Sequence, residues 1–154
     1  MTGHLVLSTL HTNSAVGAVT RLRDMGVEPF LLASSLIGIG AQRLVRKLCL
    51  QCRKPFVADA EQLQVVGLSP ADGKLYAAHG CDACKNSGYR GRTGIYELVT
   101  VDDPFRQLIH ARAPEQALRE YALSHGMRPL REDGMRWVAQ GVVSLEEVLR
   151  VTGD

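Results

Sequence analysis

All four cysteines of the chain fall in two pairs, CLQC at Cys49 and Cys52 and CDAC at Cys81 and Cys84, with 28 residues between them. Two thiolates three residues apart reach one ion when the turn between them is tight, and two such knuckles complete a tetrahedral zinc site. Gly80, beside the second pair, suits such a turn. A site with four protein ligands has no open coordination position, so it holds a fold together and hydrolyses nothing. Structural disulfides or idle thiols are the alternatives. The absence of a charged leader followed by an apolar core and a cleavage site argues against an exported, disulfide-bonded chain and for a cytoplasmic one.

The frame around the knuckles is that of a globular protein. With 154 residues the chain is one ordinary domain or two small ones, and 45% hydrophobic residues exclude intrinsic disorder. A net charge of +2 is too small to argue for a nucleic-acid partner. The longest apolar stretch, Phe30 to Ala41, includes Ser34, Ser35, Gly38 and Gly40. It falls short of the roughly 20 residues that cross a bilayer, which predicts a buried helix and no direct membrane span.

Periodicity places elements on either side of the metal unit. His4 to Leu10 reads as a strand buried on both faces, through Leu5, Val6, Leu7 and Leu10. Thr12 or Asn13 can cap the helix that follows, whose apolar face is Ala15, Val16, Val19, Leu22 and Met25, with Gly26 as its stop. Pro29 starts a second helix, apolar nearly all round from Phe30 to Ile39. Residues 41–48 fit both helical and strand spacing, and their place before a knuckle favours a strand. A short helix is predicted from Asp59 to Val66 and a loop from Gly67 to Gly73, then a strand over 88–99. Four short helices complete the chain: Asp103 caps Pro104, Pro114 opens the next, Gly126 and Gly141 are stops, and Ser144 with Glu147 makes a capping box.

Two histidines flank the first strand. Seven residues of extended chain separate His4 from His11 by roughly 23 Å, so they cannot share a metal. In open α/β sheets ligands bind beyond the carboxyl ends of strands, which favours His11, with Thr9 and Thr12 beside it, as ligand-facing. The alternative is that both histidines bond a backbone carbonyl in loops. The chain contains no G-x4-G-K-[ST] loop, G-x-G-x-x-G turn, G-x-S-x-G elbow or H-E-x-x-H pair. Arg21, Arg23, Arg43, Arg46 and Lys47 form a modest basic set that fits solvated faces, or one phosphate contact in a nucleotide motor.

The phrases TGHLVLSTLHTNSAVGAVTRLRDMGVEPFLL, AQRLVRKLCLQC, CDACKNSGYRGRTGIYELV and MRPLREDG…GVVSLEEVLRV together resemble the secretion ATPase superfamily, in the same order and over nearly the whole chain. The stretch VGAVTRLRDMGVEPF leans to the type II secretion branch over the related type IV pilus assembly ATPases. The resemblance implies an α/β fold: the C-terminal part of a P-loop ATPase sheet domain, with an inserted tetracysteine zinc subdomain and a C-terminal helical bundle. It implies segments 1–48 (end of the ATPase core, with the histidine box), 49–87 (zinc subdomain), 88–101 (returning strand) and 102–154 (helices). Residues 42–48 and 92–99 would be neighbouring strands. His4 and His11 match the two histidines of the family's box, in a supporting catalytic role, with Thr9 and Thr12 on the nucleotide side. Cys49, Cys52, Cys81 and Cys84 match its zinc ligands. The parent would be a homo-hexameric ATP hydrolase that uses ATP and Mg2+ to drive pseudopilus assembly. It would be cytoplasmic and held at the inner membrane by platform proteins of the secretion system. The nucleotide loop would lie upstream of the histidine box, leaving this chain inactive alone and with an uncovered sheet edge. A non-enzymatic zinc module that binds a protein partner is the second reading, and a zinc-ribbon nucleic-acid binder the third.

Overall fold

The computed structural model describes residues 3–67 and 74–153, which form an α/β structure in two compact units. The first comprises residues 1–41 and 98–127, the second residues 42–97 and 128–154. The predicted boundaries at 48, 87 and 101 do not coincide with these units. The helical tail, predicted as one bundle, is divided: its first two helices join the first unit and its last two the second.

In the first unit, helix α1 (Gly17–Asp24) follows a turn in which Ser14 Oγ accepts from the Gly17 amide at 3.0 Å. Thr12 turns its hydroxyl to the Ser14 carbonyl at 3.1 Å, and the N-cap position, Val16, takes no side-chain bond. Val16 and Val19 are fully buried, whereas Met25 stands 61% exposed and is not part of the apolar face. Gly26, at φ +86°, ends the helix in the left-handed region as expected.

Two sequence expectations fail in this unit. Residues 4–10 form no strand, and Leu5, Val6 and Leu7 are 70%, 80% and 88% exposed. A strand exists only through its ladder, and no described segment runs beside this one. Helix α2 (Pro29–Ser35) begins at Pro29 as predicted but ends four residues short of Ile39. It buries Leu32 and Ala33 while Phe30 and Leu31 face solvent, so it is amphipathic and not buried all round. The β-branched Ile37 and Ile39 alternating with Gly38 and Gly40 disfavour further helix, and strand β1 (Gly38–Leu48) starts there instead.

Helix α4 (Asp103–His110) is capped by Asp102, not Asp103: its Oδ1 accepts from the Phe105 amide at 3.0 Å. Its other oxygen accepts from the Tyr121 hydroxyl at 2.8 Å, so one carboxylate ties α4 to α5 (Glu115–Ser124). Phe105, Ile109, Leu118 and Ala122 from these two helices meet Val16, Val19 and Leu32 in one apolar core.

The second unit holds most of β1 and of β4 (Tyr89–Thr100), which form a two-stranded sheet and bear out the neighbouring-strand expectation for 42–48 and 92–99. The Val101 amide donates to the Ile37 carbonyl beyond one end of the pair, and the Cys49 amide to the Gly88 carbonyl beyond the other. A second antiparallel pair, β2 (Lys54–Val57) with β3 (Lys74–Ala77), runs in register from Lys54 opposite Ala77 to Val57 opposite Lys74. Helix α3 (Ala60–Val66) has a full capping box between Asp59 and Gln62. The loop predicted to Gly73 lies outside the described residues from 68 onward.

Helices α6 (Leu130–Ala139) and α7 (Leu145–Thr152) pack together at Gly134, where a Cβ would stand 2.6 Å from Cγ1 of the fully buried Val148. Gly134→Leu should therefore lower stability by about 1–3 kcal/mol through overpacking. Denaturant unfolding checks this, and adding Val148→Ala should recover part of the loss. Ser144 caps α7 as predicted, accepting from the Glu147 amide at 3.3 Å. The Glu147 carboxylate does not complete the box, because arginines take it instead.

Candidate metal centre

The four cysteines come from two turns that the strands bring together. In the first, after β1, the Cys52 and Arg53 amides both donate to the Cys49 carbonyl, at 3.2 and 2.9 Å. In the second, a 3-10 turn over Asp82–Cys84, the Cys84 and Asn86 amides donate to the Cys81 carbonyl at 3.1 and 2.9 Å. This turn needs left-handed backbone at Lys85, Asn86 and Gly88. Gly88 is required there on two counts, its φ of +75° and the 2.7 Å that would separate a Cβ from Ala78 Cβ. Gly80, noted in the sequence, sits at φ +119° with the Asn86 carbonyl oxygen 2.9 Å from where a Cβ would be.

The four sulfurs all lie within 4.8 Å of one another. Cys49 to Cys81 is 3.9 Å, Cys52 to Cys84 3.8 Å and Cys81 to Cys84 3.8 Å. Zinc–sulfur bonds of about 2.3 Å at tetrahedral angles put sulfurs about 3.8 Å apart, so the quartet fits that ion. A disulfide needs about 2.05 Å, and all four thiols are free, which removes the disulfide alternative.

Backbone amides tune the sulfurs. Cys84 Sγ accepts from the Cys81 and Gly88 amides, each at 3.2 Å, and Cys52 Sγ from the Gly80 amide at 3.3 Å. Burial raises the Cys84 thiol, but the two amides and the neighbouring Cys52 and Cys81 sulfurs outweigh it and bring the group down to about 6. At Cys52 burial dominates over the Gly80 amide and pushes the thiol up to about 11. Metal binding requires thiolates and releases their protons.

The other predicted site residues do not gather. His4, Thr9 and His11 are exposed, Thr12 is half-buried, and the cysteine quartet is the one metal-ligand cluster among the described residues. Of the basic set, Arg23 Nη1 donates to the Ala113 carbonyl at 2.9 Å, Arg46 is paired, and Arg21 and Lys47 face solvent. Sequence reading missed the group that takes Arg46. Glu147, its side chain 0% exposed, receives Nε and Nη2 of Arg46 at 3.0 and 2.7 Å, and Nε and Nη2 of Arg150, both at 2.9 Å. Burial raises its carboxyl group, but the two guanidiniums and the Arg46 amide overcome that and hold it at about 2. The one trace of it in the sequence is the Ser144–Glu147 spacing.

Among the described residues no helix is long and apolar enough to cross a membrane. The profile of a protein family described as Type II/IV secretion system protein matches residues 1–150. The type II secretion system protein E of Pseudomonas aeruginosa is 56% identical over 155 residues, covering 100% of this chain and 31% of the relative. The type II secretion system ATPase E of Vibrio cholerae has the same identity and coverage. The type IV pilus assembly ATPase PilB of Thermus thermophilus is 47% identical over 155 residues, covering 99% of this chain and 17% of its own length. The chain thus spans under a third of each of these relatives.

Proposed function

Because the chain belongs to the type II/IV secretion system protein family, we propose that it is one segment of a secretion ATPase and supplies that motor's metal-held subdomain and histidine box. The single observation that carries this reading is the 56% identity, from end to end, to a protein named as a type II secretion ATPase. On this reading the longer polypeptide hydrolyses ATP with Mg2+, acts as a homo-hexamer, and sits in the cytoplasm at the inner membrane through platform proteins. The phosphate loop, which the chain itself does not contain, lies on this reading elsewhere in the longer polypeptide, upstream of this segment as the resemblance implies. The type II branch is favoured over the pilus branch by 56% against 47% identity.

Each predicted residue has a part in this reading. Cys49, Cys52, Cys81 and Cys84 hold zinc, whose role with four protein ligands is to fix the fold. His4 and His11 support catalysis, with Thr9 and Thr12 on the nucleotide side. The exposure of His4, Thr9 and His11 suits a surface that the rest of the motor covers.

ATP hydrolysis tests the proposal. The longer polypeptide should turn over ATP while this chain alone should not, and the reverse result defeats it. In the longer polypeptide His11→Ala should lower kcat at least about tenfold, or ~1.4 kcal/mol of barrier, with zinc content unchanged.

A further inference from the structure

A four-sulfur site keeps its shape only if its two knuckles are held at a fixed spacing. The first hangs from the end of β1 and the second leads into β4, so the junction of Leu48–Cys49 with Gly88–Tyr89 sets that spacing. The Cys49 amide donates to the Gly88 carbonyl at 2.9 Å, and the Leu48 amide to the Val142 carbonyl at 2.8 Å. From α7, the buried Glu147 carboxylate accepts the Arg46 backbone amide at 3.0 Å as well as its guanidinium. Arg46 then lies over the Tyr89 ring, 4.1 Å from its centre. The Tyr89 hydroxyl stands 3.1 Å from Ser144 Oγ, the same atom that receives the Glu147 amide. β1, β4 and α7 therefore close a ring of contacts that enters the chain three residues before Cys49 and five after Cys84.

We propose that Glu147 is a positioning residue for the metal centre: by clamping the ends of β1 and β4 from α7 it pre-arranges the sulfurs, and so couples zinc affinity to the docking of α7. This rests on the tetracysteine cluster being a zinc site. Outer contacts that orient metal ligands are commonly worth 10–100-fold in affinity, here acting through the backbone and not through a sulfur. The coupling is reciprocal, so zinc must favour the docked α7 by the same factor that the clamp favours zinc.

The test is a competition titration of the full zinc-loaded chain with a chromogenic chelator of known affinity. E147Q should raise the Kd for zinc about 10–100-fold. E146Q, at the exposed neighbouring carboxylate, should leave it unchanged. Leu63→Ala, which weakens the same unit from α3 and not from α7, should hold zinc more tightly than E147Q. Hydrogen exchange on the wild-type chain needs no variant to fold: residues 145–152 should lose protection together with the knuckles when zinc is removed. Equal zinc affinity in wild type and E147Q, an equal loss in Leu63→Ala, or unchanged protection at 145–152 each overturns the clamp alone. A wild-type chain that takes up no zinc overturns the metal reading, and the clamp falls with it.

Discussion

Cys84→Ser should empty the metal centre and unfold most of the second unit, taking zinc content from near one per chain to near zero. Cys84 is the ligand with the most to lose, since its sulfur lies 3.8 Å from both Cys52 and Cys81 and accepts two backbone amides. A serine hydroxyl stays protonated at neutral pH and does not replace a thiolate that titrates at about 6. Structural zinc in small domains contributes apparent free energies of about 10–16 kcal/mol, more than the whole stability of an ordinary domain. The elements of that unit nearest the knuckles are short, two four-residue strands and a seven-residue helix, and the other support beside the sheet is the pair α6 and α7. The first unit is built differently, on Phe105, Ile109, Leu118 and Ala122, and supplies no ligand to the metal. Chelation of the wild-type chain should thus melt the second unit at a lower temperature and leave the first folded. Zinc analysis with calorimetry measures both effects, and an unchanged melt of zinc-free Cys84→Ser would show that the centre is not structural.

What the sequence disclosed follows the range of the interactions involved. The cysteine quartet was legible because each pair closes its own turn and the spacing alone states the geometry. Asp59–Val66, Pro29, Gly26 and Gly126 were legible for the same reason, since caps and stops are made within one turn of chain. A near miss came where two adjacent residues could serve: Asp102 for Asp103. Asp102 wins because its second oxygen is also bound by Tyr121, 19 residues away. The larger errors are non-local. Leu5, Val6 and Leu7 have strand composition, but composition supplies no partner strand. The tail reads as four helices, and nothing in their local pattern assigns the first pair to one unit and the second pair to the other. The Ser144–Glu147 spacing is a good local capping box, yet Arg46 lies 101 residues away and outbids the helix end for the carboxylate.

Glu147→Ala should cost about 1–3 kcal/mol, the range for leaving a buried hydrogen-bonding group without its partner. The side chain is fully buried and holds Arg46 and Arg150 together, and its loss leaves a cavity beside two guanidiniums that remain about half exposed to water. The Arg46 backbone amide loses its acceptor as well. Replacing the whole group by apolar residues would be far milder, because desolvation of the charges is then removed along with their attraction. The carboxyl group titrates at about 2 against 4.5 in the unfolded chain, so its contribution is complete above pH 4.5 and disappears as the pH falls from there towards 2. Acid also protonates the thiolates and releases metal, so the carboxylate's share is the difference between wild type and Glu147→Gln, which does not titrate. That difference should be constant from pH 7 down to about 5 and should shrink steadily below it. Denaturant unfolding at a series of pH values reads it directly. A gap that persists undiminished at pH 2 would mean that the arginines do not depend on the ionised carboxylate.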